Sequence, residues 1–313
     1  MLIIEAMKNI LLLLAASALF IAGCCSLPGG PDAVALVPYD AKVVAILKPD
    51  AILLDSDFSQ FYAEANNGKD LTNELSGVLE GTEIDPRTVS KMVFFSIEDG
   101  NISSAYMFQD PPGIGSAESA LRSNSAWTSL EYNGYPIYQS GERSIAFVGG
   151  NVVAGGLPAL KAVIDVKNGM KLDLAQNQKM MGMLNALDQG APVIIASELT
   201  PAVRAQIASS QGPLNSAAAS MVDSASLQVK KGGTGISLKI ALSAGNPADA
   251  FALKGAIYGA STLLTSMAED GGALKGFLNM MSVGESGSTI TISVETTADE
   301  LRSVKAEMDR AGA

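Results

Sequence analysis

The chain has 313 residues, 32 acidic against 21 basic, and a formal net charge of −11. No basic run exceeds Lys230-Lys231, so the balance excludes a nucleic-acid binder, which needs clustered Lys and Arg. There is no histidine, and the 2 cysteines are adjacent near the N-terminus; a Ser-His-Asp triad, a histidine metal site, a disulfide framework and a thiolate cluster in the body are all excluded with them.

Residues 10–22, ILLLLAASALFIA, form an uncharged apolar run. A spanning helix needs about 20 residues, so this run has the length of a signal-peptide core, preceded by Lys8. A start at Met7 gives the cleaner n-region, MKNILLLL. Ile21-Ala22-Gly23-Cys24 follows and resembles the lipobox of prokaryotic lipoproteins. That resemblance implies cleavage before Cys24, a diacylglycerol thioether on its sulfur, and palmitate-type chains holding the protein at a membrane from the extracytoplasmic side. Two or three chains anchor firmly, where one binds marginally. Cys25 is either a second acylation site or an inert neighbour, since a bridge between adjacent cysteines strains disulfide geometry. SLPGGPDA (26–33) reads as a short flexible tether, because Gly and Pro break regular structure.

The body opens with an apolar, β-branched strand at Val43–Leu47, stopped by Pro49-Asp50. Helices are predicted over 51–65 and 70–80. Lys91–Ile97 and Ile102–Phe108 read as a hairpin around Asp99-Gly100, and a helix over 115–123 follows. Trp127–Tyr132 and Tyr135–Gln139 pair around Asn133-Gly134, the strongest turn signal in the chain. Ser144–Val148 and Asn151–Ala154 pair around Gly149-Gly150. Helices over 157–167 and 176–187 come next, then an apolar strand over 191–199, then helices over 200–208 and 213–221. Ser224–Lys230 and Gly235–Leu242 form strands around Gly232-Gly233. Asn246-Pro247 opens a long helix to about 268, with Asn as N-cap and Pro at the first helical position. Phe251, Leu253, Ile257, Leu264 and Met267 are assigned to its apolar face. A helix over 273–281, a strand over Ser288–Glu295 with Ile290, Ile292 and Val294 inward, and a helix over Thr297–Arg310 close the chain.

This succession predicts an α+β fold: largely antiparallel sheet built of repeated β-hairpin–helix units, with paired helices packed on one face. The domains expected are 1–23 as signal peptide, 24–34 as lipidated cysteine and tether, 35–212 as a first α+β domain and 213–313 as a second, unless the last two are continuous. Two stretches, VPYDAKVVAILKPDAILL and EIDPRTVSKMVFF, resemble surface proteins of bacteria and archaea in which a strand follows a P-x-D-A opening and D-P-x-x-V precedes a hairpin. The resemblance implies a surface protein of unassigned function and carries no catalytic residues.

The chemistry-bearing patterns have plain structural readings. No Ser-x-x-Lys or Gly-x-Ser-x-Gly occurs, and GESGS (284–288) reads as a turn. Glu98-Asp99, Glu269-Asp270 and Asp299-Glu300 sit at predicted turns or helix starts, where carboxylates cap. DSDFSQ (55–60) alternates Asp55, Asp57 and Ser59 like a calcium loop, but has Gln60 and Asn66 where that loop wants Gly and Glu. GKD (68–70) lacks the upstream glycine of a phosphate loop, and GIGSAES (113–119) reads as a helix start. Gly255-x-x-x-Gly259 is read as close helix packing inside the domain. Met180, Met181 and Met183, with Met280 and Met281, are the candidate apolar ligand or partner surface, since methionines line adaptable grooves as well as cores.

The expected function is a lipid-anchored extracytoplasmic binding or scaffold protein, engaging the membrane through its anchor and a hydrophobic ligand or envelope protein through its body. Catalytic residues, metal and cofactor are each expected to be none. The alternatives are a structural component of an envelope assembly and a carboxylate-dependent surface enzyme.

Overall fold

A computed structural model describes residues 32–65, 71–99, 101–201, 204, 220–268 and 271–312. The signal run, Cys24, Cys25, the GKD stretch and Glu269-Asp270 lie outside them, as do nearly all of the expected helices over 200–208 and 213–221. The chain forms two compact units. Of the described residues, the larger unit takes 32–59 and 71–195, and the smaller takes 60–65 and 196–312. Both are α+β, and their paired strands are antiparallel.

The body begins earlier than the tether reading expects. A 3-10 turn, Ala33–Leu36, starts at once after Asp32, with Ala33, Leu36 and Val37 buried. Strand β1 (Val43–Leu47) follows as read. The helix expected over 51–65 is two helices, α1 (Pro49–Leu53) and α2 (Ser56–Ala65). The break falls at Asp55, whose Oδ1 accepts from Asp57 N and Phe58 N at 2.9 and 3.3 Å. A side-chain acceptor aimed at the first free N–H groups starts a helix anew. Asp55 is therefore a cap, and Ser59 Oγ donates back to Ser56 O.

After α3 (Leu71–Val78), strands β2 (Lys91–Asp99) and β3 (Asn101–Gln109) form the long hairpin. Its ladder continues to Asp99 opposite Asn101, one step beyond what a two-residue Asp99-Gly100 turn allows. Helix α4 (Ile114–Ser123) precedes β4 (Thr128–Tyr132), β5 (Tyr135–Ser140), β6 (Arg143–Val148) and β7 (Asn151–Gly155). The turn signals hold: Asn133 and Gly134 have φ 48° and 84°, and Gly149 and Gly150 have φ 60° and 86°, the left-handed pair that a two-residue hairpin requires. The strand order is β1-β2-β3-β7-β6-β5-β4. Gly155, at φ 156°, lets β7 close on β3; a Cβ there would stand 2.3 Å from Ser104 O.

Strand β2 is buried from Lys91 to Ile97 on both of its sides, so both sides need cover. Helix α5 (Leu157–Lys167) packs against β3, β6 and β7, and Ala159 N donates to the buried Ser103 Oγ at 3.2 Å. The other side carries Phe94, Tyr106 and Phe108, with ring centroids 5.1 and 6.4 Å apart in sequence. Burial, with the nearby Glu74 of α3, pushes the Tyr106 hydroxyl up to about 12. Tyr138 OH donates to Glu118 of α4 at 3.2 Å. Trp127 lies over Gly81, where a Cβ would meet its Nε1 at 2.9 Å. Helix α6 (Gln178–Asn185), capped by Asn177, leads to β8 (Val193–Glu198), buried over all but its last residue.

The smaller unit pairs β11-β12-β10-β9, formed by β9 (Val222–Lys231), β10 (Ile236–Ala244), β11 (Ser282–Ser286) and β12 (Thr289–Thr296). The register sets Leu238 opposite Val294, Ile240 opposite Ile292 and Leu242 opposite Ile290. This apolar side is covered by α7 (Pro247–Met267), α8 (Ala273–Met280) and α9 (Ala298–Gly312). The side chains between them in register are Ser237, Lys239, Ala241 and Ser243 against Glu295, Ser293, Thr291 and Thr289. GESGS is strand end plus turn, since β11 runs to Ser286 and only the tip with Gly287 (φ 60°) turns. Thr297 and Glu300 make a reciprocal capping box on α9, Glu300 Oε2 accepting from Thr297 N at 2.8 Å and Thr297 Oγ1 from Glu300 N at 3.2 Å.

Glu295 closes the β9–β10 turn. Its Oε1 accepts from Thr234 N at 2.5 Å and Thr234 Oγ1 at 3.0 Å, and these hydrogen bonds hold its carboxyl below the usual carboxylate range. A lowered folded pKa stabilises the fold above the unfolded value, near 4.3, and that increment is lost as pH falls through the folded pKa. Glu295→Gln is expected to destabilise the protein at neutral pH, with the difference from the parent shrinking as pH is lowered. Denaturant titrations between pH 7 and pH 4 check it.

Candidate functional site

The methionines separate on burial. Met180 is fully buried in α6 and is core, not surface. Met181 and Met183 are half-buried on either side of the exposed Gly182. Met280, at the end of α8, is exposed, and Met281 after it is half-buried. The first three belong to the larger unit and the last two to the smaller.

Three of the large apolar side chains left exposed, Phe251, Tyr258 and Leu263, lie instead on α7. Asn246 Oδ1 accepts from Asp249 N at 2.9 Å, and its Nδ2 donates to Asp249 Oδ2 at 2.7 Å. Pro247 at the first helical position adds its fixed φ. Inward, Ala250, Leu253 and Leu264 are buried, and Ile257 packs beside the first two against Val222, Ala244 and Ile290. Outward, Phe251 is 72% exposed, Tyr258 48% and Leu263 39%. Ala252, Gly255, Gly259, Thr262 and Ser266 are exposed between them. These positions recur every three or four residues, the spacing of one helix face.

Two expectations fail here for one reason. At about 100° per residue, Phe251 lies about 200° around the helix from Leu253, so the two cannot share a face. Phe251 therefore points away from the core that Leu253 enters, and Met267 lies outside the described side chains. Gly255 and Gly259 share the Phe251 side. A Cβ on either would meet nothing within 4 Å, so the pair does not serve packing within the domain.

The outer face is also free of charge. Asp249 is engaged at the N-cap, and Lys254 Nζ reaches Glu285 of β11 at 3.0 Å. From Gly255 to Met267 there is no ionisable side chain except Tyr258, whose OH donates to Val283 O at 3.2 Å. Those two contacts tie one edge of the outer side to β11, while Phe251, Gly255, Gly259 and Leu263 stay exposed. In a chain of net charge −11, such an area is suited to an uncharged, apolar partner.

The carboxylate pairs weighed for catalysis are dispersed. Asp299 pairs with Arg302 at 2.7 Å and Glu300 caps α9, while Glu98 and Asp99 end β2. Among the described residues, no group of three or more His, Cys, Asp or Glu is placed to hold a metal ion. Among them, too, no helix is long and apolar enough to cross a membrane.

No protein-family model matches the chain, and no curated protein matches it in sequence. Among solved structures, crystal form III of TP0453 is similar, with a TM-score of 0.50 and 10% identity over 88% of this chain and 98% of that one. Crystal form I of TP0453 gives 0.48 with 12% identity, covering 89% of this chain and 98% of that one. At 10% identity the likeness to crystal form III is one of fold alone.

The two sides of α7 differ sharply in what they bear. Phe251→Ser is expected to leave unfolding free energy within about 0.5 kcal/mol of the parent, as an exposed position does. Leu253→Ala is expected to cost about 2–5 kcal/mol through the cavity it leaves. Denaturant unfolding monitored by far-UV circular dichroism reads both.

Proposed function

We propose that the chain is a lipid-anchored extracytoplasmic binding or scaffold protein, attached through Cys24 and presenting the outer face of α7 to an apolar partner. The lipobox-like Ile21-Ala22-Gly23-Cys24 supports the anchor. The observation that carries the binding role is the uncharged outer side of α7, with Phe251, Tyr258 and Leu263 in the open. A helix that is apolar on both sides is ordinarily covered by something. The methionine helices are secondary in this reading, with Met181, Met183, Met280 and Met281 partly accessible and Met180 not. Asp299 is ion-paired with Arg302 and Glu300 caps α9, which gives these two carboxylates structural roles.

Two measurements test the parts separately. Mass spectrometry of the full chain made in a bacterium that processes lipoproteins should find an N-terminal Cys24 carrying diacylglycerol, and Cys24→Ser should release the protein from the membrane fraction. An unprocessed N-terminus in the parent removes the anchor. For the surface, the combined variant F251S/Y258S/L263S should keep its circular dichroism. It should lose about half or more of the fluorescence that anilinonaphthalene sulfonate gains on the parent. Equal dye fluorescence on both proteins removes α7 as the apolar face.

A further inference from the structure

Three strands of the larger unit carry a polar row in an otherwise apolar setting. Lys91 on β2 stands opposite Gln109 on β3, and Gln109 opposite Asn151 on β7. All three are buried, Asn151 to 1% exposure. A buried ammonium is tolerated only when it is paired. Lys91 Nζ meets Asp32 Oδ1 at 2.5 Å. The same oxygen accepts from Val34 N at 3.1 Å, Asp32 O accepts from Ala35 N at 2.8 Å, and Gln109 Oε1 accepts from Ala33 N at 3.3 Å. Four interactions thus converge on the residues at which the body begins.

Beyond them the chain lies as a strap. Leu36 and Val37 are buried, Leu174 N donates to Val37 O at 2.8 Å, and Tyr39 N donates to Leu172 O at 3.0 Å. Asn177 Nδ2 donates to Tyr39 O at 2.9 Å. The next segment held by a ladder is β1, from Val43.

We propose that Asp32, Lys91 and Gln109 form a latch that sets how far the body stands from its lipid anchor. The proposal rests on lipidation at Cys24. With the latch closed, Cys24 and Asp32 are eight residues apart, a reach of at most about 28 Å. With the strap released as far as Val43 the reach extends to about 65 Å. The pair is asymmetric in a useful way: Asp32 is half-exposed while Lys91 is buried, so loss of the aspartate charge strands a cation inside, and opening the strap rehydrates it.

The test uses the full lipidated chain in phosphatidylcholine vesicles with a small fraction of dansyl-labelled lipid. Asp32→Asn keeps an acceptor for Val34 N and removes the charge. Hydrogen exchange at Ala33, Val34, Ala35 and Val37 should accelerate about tenfold or more, with exchange in β2, β3 and β7 unchanged. Energy transfer from Trp127 to the labelled lipid should fall. In D32N/K91M no charge is stranded, and exchange should return most of the way to the parent rate. Unchanged exchange in D32N overturns the latch, as does acceleration spread equally over the larger unit, or a double variant that opens further than D32N. If mass spectrometry finds Cys24 without lipid, the anchor reading fails and the stand-off with it, while the exchange result still decides whether the latch exists.

Discussion

Burial of β2 on both sides, from Lys91 to Ile97, is the constraint from which the larger unit follows. A two-stranded ribbon so apolar has no stable existence alone. Cover on one side comes from α5, brought close by Gly155 and fixed by the Ser103–Ala159 hydrogen bond. On the other, Phe94, Tyr106 and Phe108 form a line of rings, and the Tyr106 hydroxyl sits deep enough to resist ionisation up to about 12. The polar row at the end of the same hairpin receives the start of the body. With no disulfide available to the folded region, cross-strand register holds together residues from Asp32 to Asn151.

The smaller unit solves a different problem. Its strands alternate, so one side of the sheet is apolar and the other is set with Ser, Thr and Lys. Three helices share the apolar side, and α7 needs only part of its circumference to contribute. Its remaining surface has been kept free of charge and of bulk at Gly255 and Gly259. Side chains with no structural duty commonly drift to Lys and Glu on a soluble helix. Their absence here is what makes α7 the functional candidate.

Hairpins and caps are specified by local signals along the chain. Asn133-Gly134, Gly149-Gly150 and Asn246-Pro247 act through their own backbone preferences, and each stands where it was read. Strand β11 escaped because Ser282–Ser286 is short, exposed and rich in turn formers; only its partner β12 makes it a strand. The outer face of α7 is not given by apolar identity alone, because Phe251 and Leu253 lie about 200° apart around the helix. The latch was out of reach: Asp32 and Lys91 are 59 positions apart, and Gln109 joins them only through strand register. Cys24 rests on its short motif alone and lies outside the described residues.

The packing of Trp127 on Gly81 has an optical consequence. It is the single tryptophan in the chain, and it resides in the larger unit. Indole emission therefore reports on the larger unit, and the four strands and three helices of the smaller unit carry no tryptophan of their own. A cooperative fluorescence transition would describe one half of the molecule, and agreement with a backbone signal would be needed before a single unfolding midpoint could be assigned to the whole.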